Sequence, residues 1–317
     1  MVELKGRQVS LGSIPPVIWM TLFLIVVYSI FAPGFLSGRN ALNIAIQAAP
    51  LFVVSIGMTM IILTEGIDLS LGFVAGLAGV VTSLMLQAGH PVALAILGGL
   101  ASGTLCGLVN GFLVSIASLP TFIATLGVGS VAYGIGLIAT GGRSIPALQE
   151  SFRFIFQGSV LGIRMPIVIA LVVFGVTYVF MHFTAYGRNV VGLGGNPQAL
   201  RTAGVNIELA RLLVYVYGGL LAAVGGLMVA ARTASGYAAA QEGWHFEAIA
   251  ATVVGGTSFR EGRGRIANTI LGVLLISVLR NGLNIAGVHN MYQYGLIGVT
   301  VVTAIVLDVL FTKARDR

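Results

Sequence analysis

The chain has 317 residues, 57% of them hydrophobic and only 9% charged, with 44 glycines and a formal net charge of +7. Soluble domains carry about 25% charged residues, so 17 Lys and Arg with 10 Asp and Glu are too few to cover a water-facing surface of this length. That balance excludes a cytosolic enzyme, a nucleic-acid binder and a disulfide scaffold, and it points to a lipid bilayer.

A helix needs about 20 mostly apolar residues to cross the hydrocarbon core. In chain order, 14–32, 41–63, 69–88, 92–117, 121–140, 166–184, 212–231, 266–287 and 291–311 are candidate spans. The first follows Lys5 and Arg7, is too long for a signal-peptide core and has no clear small-residue cleavage site, so an uncleaved span is expected. A tenth stretch, 236–259, has a clean apolar part of only 248–254 and is expected to be a short span or re-entrant. The expected fold class is an all-α integral membrane protein of about ten transmembrane helices. It forms one transmembrane domain over 1–317, with short tails at 1–13 and 312–317.

The basic residues favour ten crossings. With a cytoplasmic N-terminus, the inside segments hold Lys5, Arg7, Arg188, Arg201, Arg211, Arg260, Arg263, Arg265, Lys313, Arg315 and Arg317. The outside segments hold Arg39, Arg143, Arg153, Arg164 and Arg232, and Arg280 lies within a span. Eleven against five is the bias of the positive-inside rule, so both termini are expected to be cytoplasmic.

Gly99, Gly103, Gly107 and Gly111 recur every four residues, a smooth stripe along which another helix backbone can approach. Gly72 and Gly76, then Gly218, Ala222 and Gly226, repeat the device. Helix packing explains these more simply than a pore lining. An internal repeat is also hinted at. Asn110-Gly111-Phe112 ends the fourth span and Asn281-Gly282-Leu283 falls near the end of the 266–287 span, while Asp68 and Glu247 each open a hydrophobic stretch. Halves of five spans would be inverted relative to one another, a recurring plan in transporters.

Chemistry on this chain is sparse. A Walker-type phosphate loop needs a Lys after its glycines, and the only lysines are Lys5 and Lys313, one in each tail. The segment 262–267 (GRGRIA) matches a loose dinucleotide pattern but precedes an intramembrane helix. His90, His182, His245 and His289 lack metal-ligand spacing, Cys106 has no partner, and no nucleophile–base pair is visible. No cofactor, metal or enzymatic step is expected.

Ionisable residues near the membrane interior invite a functional reading, because charge there is expensive. Glu65 and Asp68 either lie on a solute pathway or belong to a short turn in which Asp68 caps the next helix. Arg280 is expected to face the bundle interior or to pair with an acid. Two segments on the inside stand out. In the polar stretch 186–211, Asn196, Pro197, Gln198, Ala199, Leu200, Arg201, Thr202, Ala203 and Gly204 read as a complete short helix. Asn196 is the N-cap, Pro197 fills the first turn and Gly204 closes it. Insertion does not require such a helix, so a docking role is expected. The other segment, 255–265 (GGTSFREGRGR), carries Arg260, Arg263 and Arg265 as a second cytoplasmic contact; orientation accounts for its arginines but not its glycines.

These segments carry a resemblance. The runs 66–72 (GIDLSLG), 119–127 (LPTFIATLG), 186–189 (YGRN), 194–205 (GGNPQALRTAGV) and 247–258 (EAIAATVVGGTS) occur in order. Together they resemble the membrane permease subunits of bacterial ribose-type ABC sugar importers, over essentially 14–311. The resemblance implies a pathway between two permease subunits, identical or related. Cytoplasmic ATPase subunits would lie beneath and a periplasmic sugar-binding protein above, in the bacterial inner membrane. It implies that 196–204 is the coupling helix seated in the ATPase, and that the two halves rock to move a pentose- or hexose-type sugar. Phe122, Asp68 and the segment opening at Glu247 are expected along the pathway. Glu65 departs from the family, which commonly carries a small residue before this GID run. A stand-alone proton- or sodium-coupled transporter is the competing expectation, with Glu65 or Asp68 as coupling carboxylate.

Overall fold

The computed structural model describes residues 15–258, 262, 264–289, 291–293, 295–300, 302–303 and 306. Helices α1 (Pro16–Phe31), α2 (Gly38–Leu63), α3 (Leu71–Gln87), α4 (Val92–Ser115) and α5 (Thr121–Thr140) come first. A small cap of β1 (Ile145–Pro146), α6 (Glu150–Gln157), β2 (Ser159–Val160) and β3 (Ile163–Arg164) follows. Then come α7 (Met165–Phe183), α8 (Ala185–Gly195), α9 (Pro197–Thr202), α10 (Ile207–Thr233), β4 (Ser235–Gly236), α11 (Trp244–Val254) and α12 (Ile266–Ile285). Helical backbone resumes at 291–293 and 295–300. β1 pairs antiparallel with β4, and β2 with β3.

Local chemistry sets the helix starts. Ser37, Asn196 and Asn206 cap α2, α9 and α10 by accepting the N–H three residues on, at 3.2, 2.9 and 2.8 Å. α4 and α5 begin directly after Pro91 and Pro120. Among the described residues, six helices, α2, α4, α5, α7, α10 and α12, are long and apolar enough to cross a membrane, which makes the chain multi-pass. α1 and α3 are apolar but have 16 and 17 residues.

One expectation changes. The stretch 186–211 is not a loop with one helix, because α8 occupies 185–195 and α10 begins at Ile207. The tenth stretch, expected to be a short span or re-entrant, holds a short helix. α11 has 11 residues, about 16 Å at 1.5 Å per residue, and the polar segment before it is irregular. The tails 1–13 and 312–317, and most of 301–311, lie outside the described residues.

α2 and α10 form the centre. α3 and α4 pack on α10, whereas α11 and α12 pack on α2. The glycine stripe faces α10: a Cβ on Gly103 would meet Gly219 O at 2.6 Å, and one on Gly107 would meet Tyr215 O at 2.4 Å. Gly111 backs onto Leu212 O in the same way, and Gly99 onto Thr82 and Ala78 of α3. Backbone-to-backbone contact of this kind replaces the hydrophobic driving force that lipid removes.

Two connections dip into the bundle. Residues 64–70 return inward after α2, so that a Cβ on Gly129, midway along α5, would meet Ser70 Cα at 3.0 Å. Residues 237–243 return inward after α10 and run along α3, with Gly76 against Ala238 O and Gly72 against Gln241 O. α3 and α11 therefore begin side by side within the bundle, where the Phe73 and His245 rings lie 5.1 Å apart.

Candidate functional site

The first dipping segment closes around Asp68, which is fully buried. Its Oδ1 accepts from Ser70 N at 2.7 Å and from Ser70 Oγ at 2.5 Å. Asn110 Nδ2 reaches from α4 to Asp68 Oδ2 at 3.3 Å and to Ser70 Oγ at 2.8 Å. Thr125 Oγ1 of α5 accepts Leu69 N at 3.0 Å. Asp68 is thus a buried clasp and not a solvated cap, although its bond to Ser70 N is of the capping kind.

Glu65 lies two residues beyond α2 with φ 59° and an exposed side chain. Its N–H donates to Ile62 O and Gly66 N–H donates to Ile61 O, the paired bonds of a Schellman helix end. Phe122 is exposed on the first turn of α5. Neither is among the hydrogen-bond partners of Asp68 or the residues lining the cavity described next.

The second dipping segment opens onto a polar cavity of about 390 Å³. Gln47 of α2, Arg232 of α10, Glu242, Trp244 and Glu247 of the 237–254 segment, and Arg280 and Asn284 of α12 line it. Arg280 donates to Glu247 Oε1, which gives Arg280 the acid partner that its position demanded. Glu247 is 6% exposed, and its second oxygen, Oε2, is buried without a hydrogen-bond partner. Asn281 and Asn40 exchange amide hydrogen bonds at 2.9 and 3.0 Å, fixing α12 to α2 beside the pair. Deeper in the bundle, Thr59 Oγ1 meets Thr269 Oγ1 at 2.7 Å and Thr252 Oγ1 at 3.2 Å, joining α2, α12 and α11.

At the opposite end stands α9. Asn196 caps it, Pro197 fills its first turn, and Gly204 follows with φ 82°. None of its residues is buried. Leu200, however, turns inward onto Gly192 and the cluster of Leu193, Ile207 and Ala210. Arg201 pairs with Glu208 of α10. The outward side chains are those of Gln198, Ala199, Thr202 and Ala203, with Arg201 exposed beside them. Just before α9, a Cβ on Gly194 would meet Leu63 O at 2.1 Å and Gly262 Cα at 2.6 Å. Of the glycines in 255–265 that orientation did not explain, Gly262 serves this close approach, while Gly255 backs onto Asn268 O and Gly264 onto Thr257. Arg265 is exposed at the start of α12, and Arg260 and Arg263 lie outside the described residues.

Sequence reasoning picked out Asp68, Glu247 and Arg280 but missed Gln47, Trp244 and Asn284, which come from separate elements with no shared motif. No group of three His, Cys, Asp or Glu suited to a metal occurs among the described residues.

A family model described as branched-chain amino acid transport system / permease component matches residues 40–305. The chain belongs to this permease family. The permease is 37% identical to the ribose import permease protein of Bacillus subtilis, over 90% of this chain and 89% of that one. It is 35% identical to the ribose import permease protein of Escherichia coli K12, over 90% and 91% of the two chains. It is 34% identical to the D-allose transport system permease protein of the same strain, over 88% and 86%. No solved structure matches it. A permease component is the membrane part of a transport system and not an enzyme.

Proposed function

We propose that the chain is the membrane subunit of an ABC-type importer and forms the pathway for a pentose- or hexose-type sugar. It works with separate ATPase subunits and a periplasmic binding protein. It resides in the bacterial inner membrane with both termini cytoplasmic, and a second permease subunit, identical or related, completes the pathway. The sugar-import names of relatives at 34–37% identity over most of both chains support the substrate class.

The observation that carries the coupling part is α9. It is a capped, unburied helix whose leading Gly194 is wedged against the end of α2 and against Gly262. A push on α9 is transmitted to both. We assign its outward face, Gln198, Ala199, Thr202 and Ala203, to the ATPase, with Asn196, Pro197 and Gly204 shaping the helix and Leu200 and Arg201 anchoring it. We assign Arg260, Arg263 and Arg265 to a second cytoplasmic contact.

The fold is read as ten crossings in a single domain, with α11 and its irregular leader as the short one. The halves are inverted relatives. The exchange in which α3 and α4 pack on α10 while α11 and α12 pack on α2 supports this. So does the matched build of two long central helices, each followed by a dipping connection and a helix that starts inside the bundle. Proton coupling finds less support, because three hydrogen bonds occupy Asp68 and Glu65 lies exposed in a turn.

Reconstitution tests the reading. The permease with its ATPase and binding protein in proteoliposomes is expected to import sugar only with ATP. Uptake by the permease alone, driven by a proton or sodium gradient, would overturn it. Ala199→Trp or Ala203→Trp is expected to leave the permease in the membrane and to lower uptake per ATP hydrolysed at least tenfold. Normal coupling in both variants would remove α9 from the docking role.

A further inference from the structure

We infer that the cavity at the start of α11 is a transit site for one neutral, polyhydroxylated molecule, held between Glu247, Arg280 and Trp244. The inference rests on the sugar-importer reading and adds the residues and the selectivity. A volume of about 390 Å³ falls within the range of roughly 300–1,000 Å³ usual for small-molecule sites. Polar side chains converge on it from three directions, with Gln47 on α2, Glu247 on α11 and Asn284 on α12. Trp244, half-buried at the first turn of α11, supplies an aromatic wall. Amide, carboxylate and guanidinium groups beside a ring suit a ligand with hydroxyls on its rim and C–H groups on its face.

The charges define the class further. Arg232 and Arg280 are balanced by Glu242 and Glu247 around the same space. Arg280 is already paired with Glu247, and the remaining Arg232 and Glu242 offset one another in charge, so the lining as a whole is neutral and favours a neutral ligand over an ion. A hydroxyl can accept from Arg280, whose side chain is 33% exposed, and Glu247 Oε2, now buried without a partner, reaches the same hydroxyl when the carboxylate turns toward the cavity. Such a bond adds no net charge to the site. The Asn40–Asn281 amide exchange holds the α12 wall at a fixed distance from α2, so the pair stands preorganised.

The test uses the assembled transporter in proteoliposomes, with the sugar that its own binding protein retains. Glu247→Gln and Asn284→Leu are each expected to lower sugar import per ATP hydrolysed at least tenfold. Wild-type import ratios in both variants would overturn the transit site while leaving the importer reading intact. Absence of ATP-driven import by the wild-type complex would instead defeat the importer reading. Should the variants lose assembly with the ATPase, a reporter decides. In a Cys106→Ser background, Ser277→Cys on the cavity wall is labelled with a small cationic thiol reagent. Slowing of labelling at least fivefold by millimolar sugar, but not by an equal concentration of isoleucine, supports the site. Equal rates with and without sugar, or equal protection by isoleucine, would overturn it.

Discussion

The two dipping connections of this permease have the same architecture and opposite chemistry. Each follows a long central helix, turns inward, and starts a new helix inside the bundle with a carboxylate close by. At the first, both oxygens of Asp68 take hydrogen bonds, from Ser70 and from Asn110 on α4, and the side chain is sealed. At the second, Glu247 takes one bond from Arg280, keeps one oxygen without a partner, and borders a cavity. A buried carboxylate that is satisfied rigidifies its surroundings, whereas one that is half-satisfied beside open space is available to a ligand. If the halves are related as proposed, the two positions divide the work, one holding the fold and the other meeting the solute.

That contrast breaks first on stability. Asp68→Leu strands Ser70 N–H and Ser70 Oγ–H in the interior and leaves Asn110 only its bond to Ser70 Oγ, at about 1–3 kcal/mol for each unpaired group. The variant is expected to melt well below the wild type in detergent, or to fail to accumulate. Glu247→Leu removes only one bond, and its Arg280 partner retains access to the cavity, with its side chain 33% exposed. Its melting temperature is expected to fall less than that of Asp68→Leu. The reverse order would assign the structural role to the wrong end.

A smaller effect sharpens the second region. If Glu247 and Arg280 act as a pair, Glu247→Arg combined with Arg280→Glu restores the charge balance that either single change upsets. Import is expected to recover at least fivefold over the worse single variant. No recovery would mean that each group works separately, with the geometry of the pair irrelevant. The comparison also bears on α9. Leu200→Ala is expected to lower thermal stability by about 1–2 kcal/mol, since the side chain is half-buried and not at the full ~2–5 kcal/mol of a core deletion. A docking residue facing outward would show no such loss.

The sequence made some of this legible, for reasons specific to each feature. Asn196, Pro197 and Gly204 announce α9 because capping is local chemistry between residues three or fewer apart. The stripe from Gly99 to Gly111 announces close packing because its period is that of a helix, but it does not name α10 as the partner. Asn40 and Asn281 lie 241 positions apart, and no pattern in either neighbourhood pairs them. The cavity is invisible for the same reason, being a space left among α2, α11 and α12. The inward turn of Leu200 could not be read, since a helix of six residues is too short to display a face. The segment 237–243 is polar and irregular, so hydropathy registered only the apolar helix that follows it.

The smallest expected effect concerns how each dipping connection begins. α2 is followed by Glu65 at φ 59° and α10 by Ala234 at φ 51°, both in the left-handed region that glycine adopts without a Cβ penalty. For other residues that conformation costs roughly 1–2 kcal/mol, partly offset by the greater freedom that glycine loses on folding. Glu65→Gly and Ala234→Gly are therefore each expected to raise the melting temperature slightly, by up to about 1 kcal/mol in stability. If the two turns are equivalent devices in related halves, the gains should match. A gain at Ala234 with a loss at Glu65 would mean that the Glu65 side chain holds something at the α9 end of the bundle. The two connections would then differ in their first residue as well as in their carboxylates.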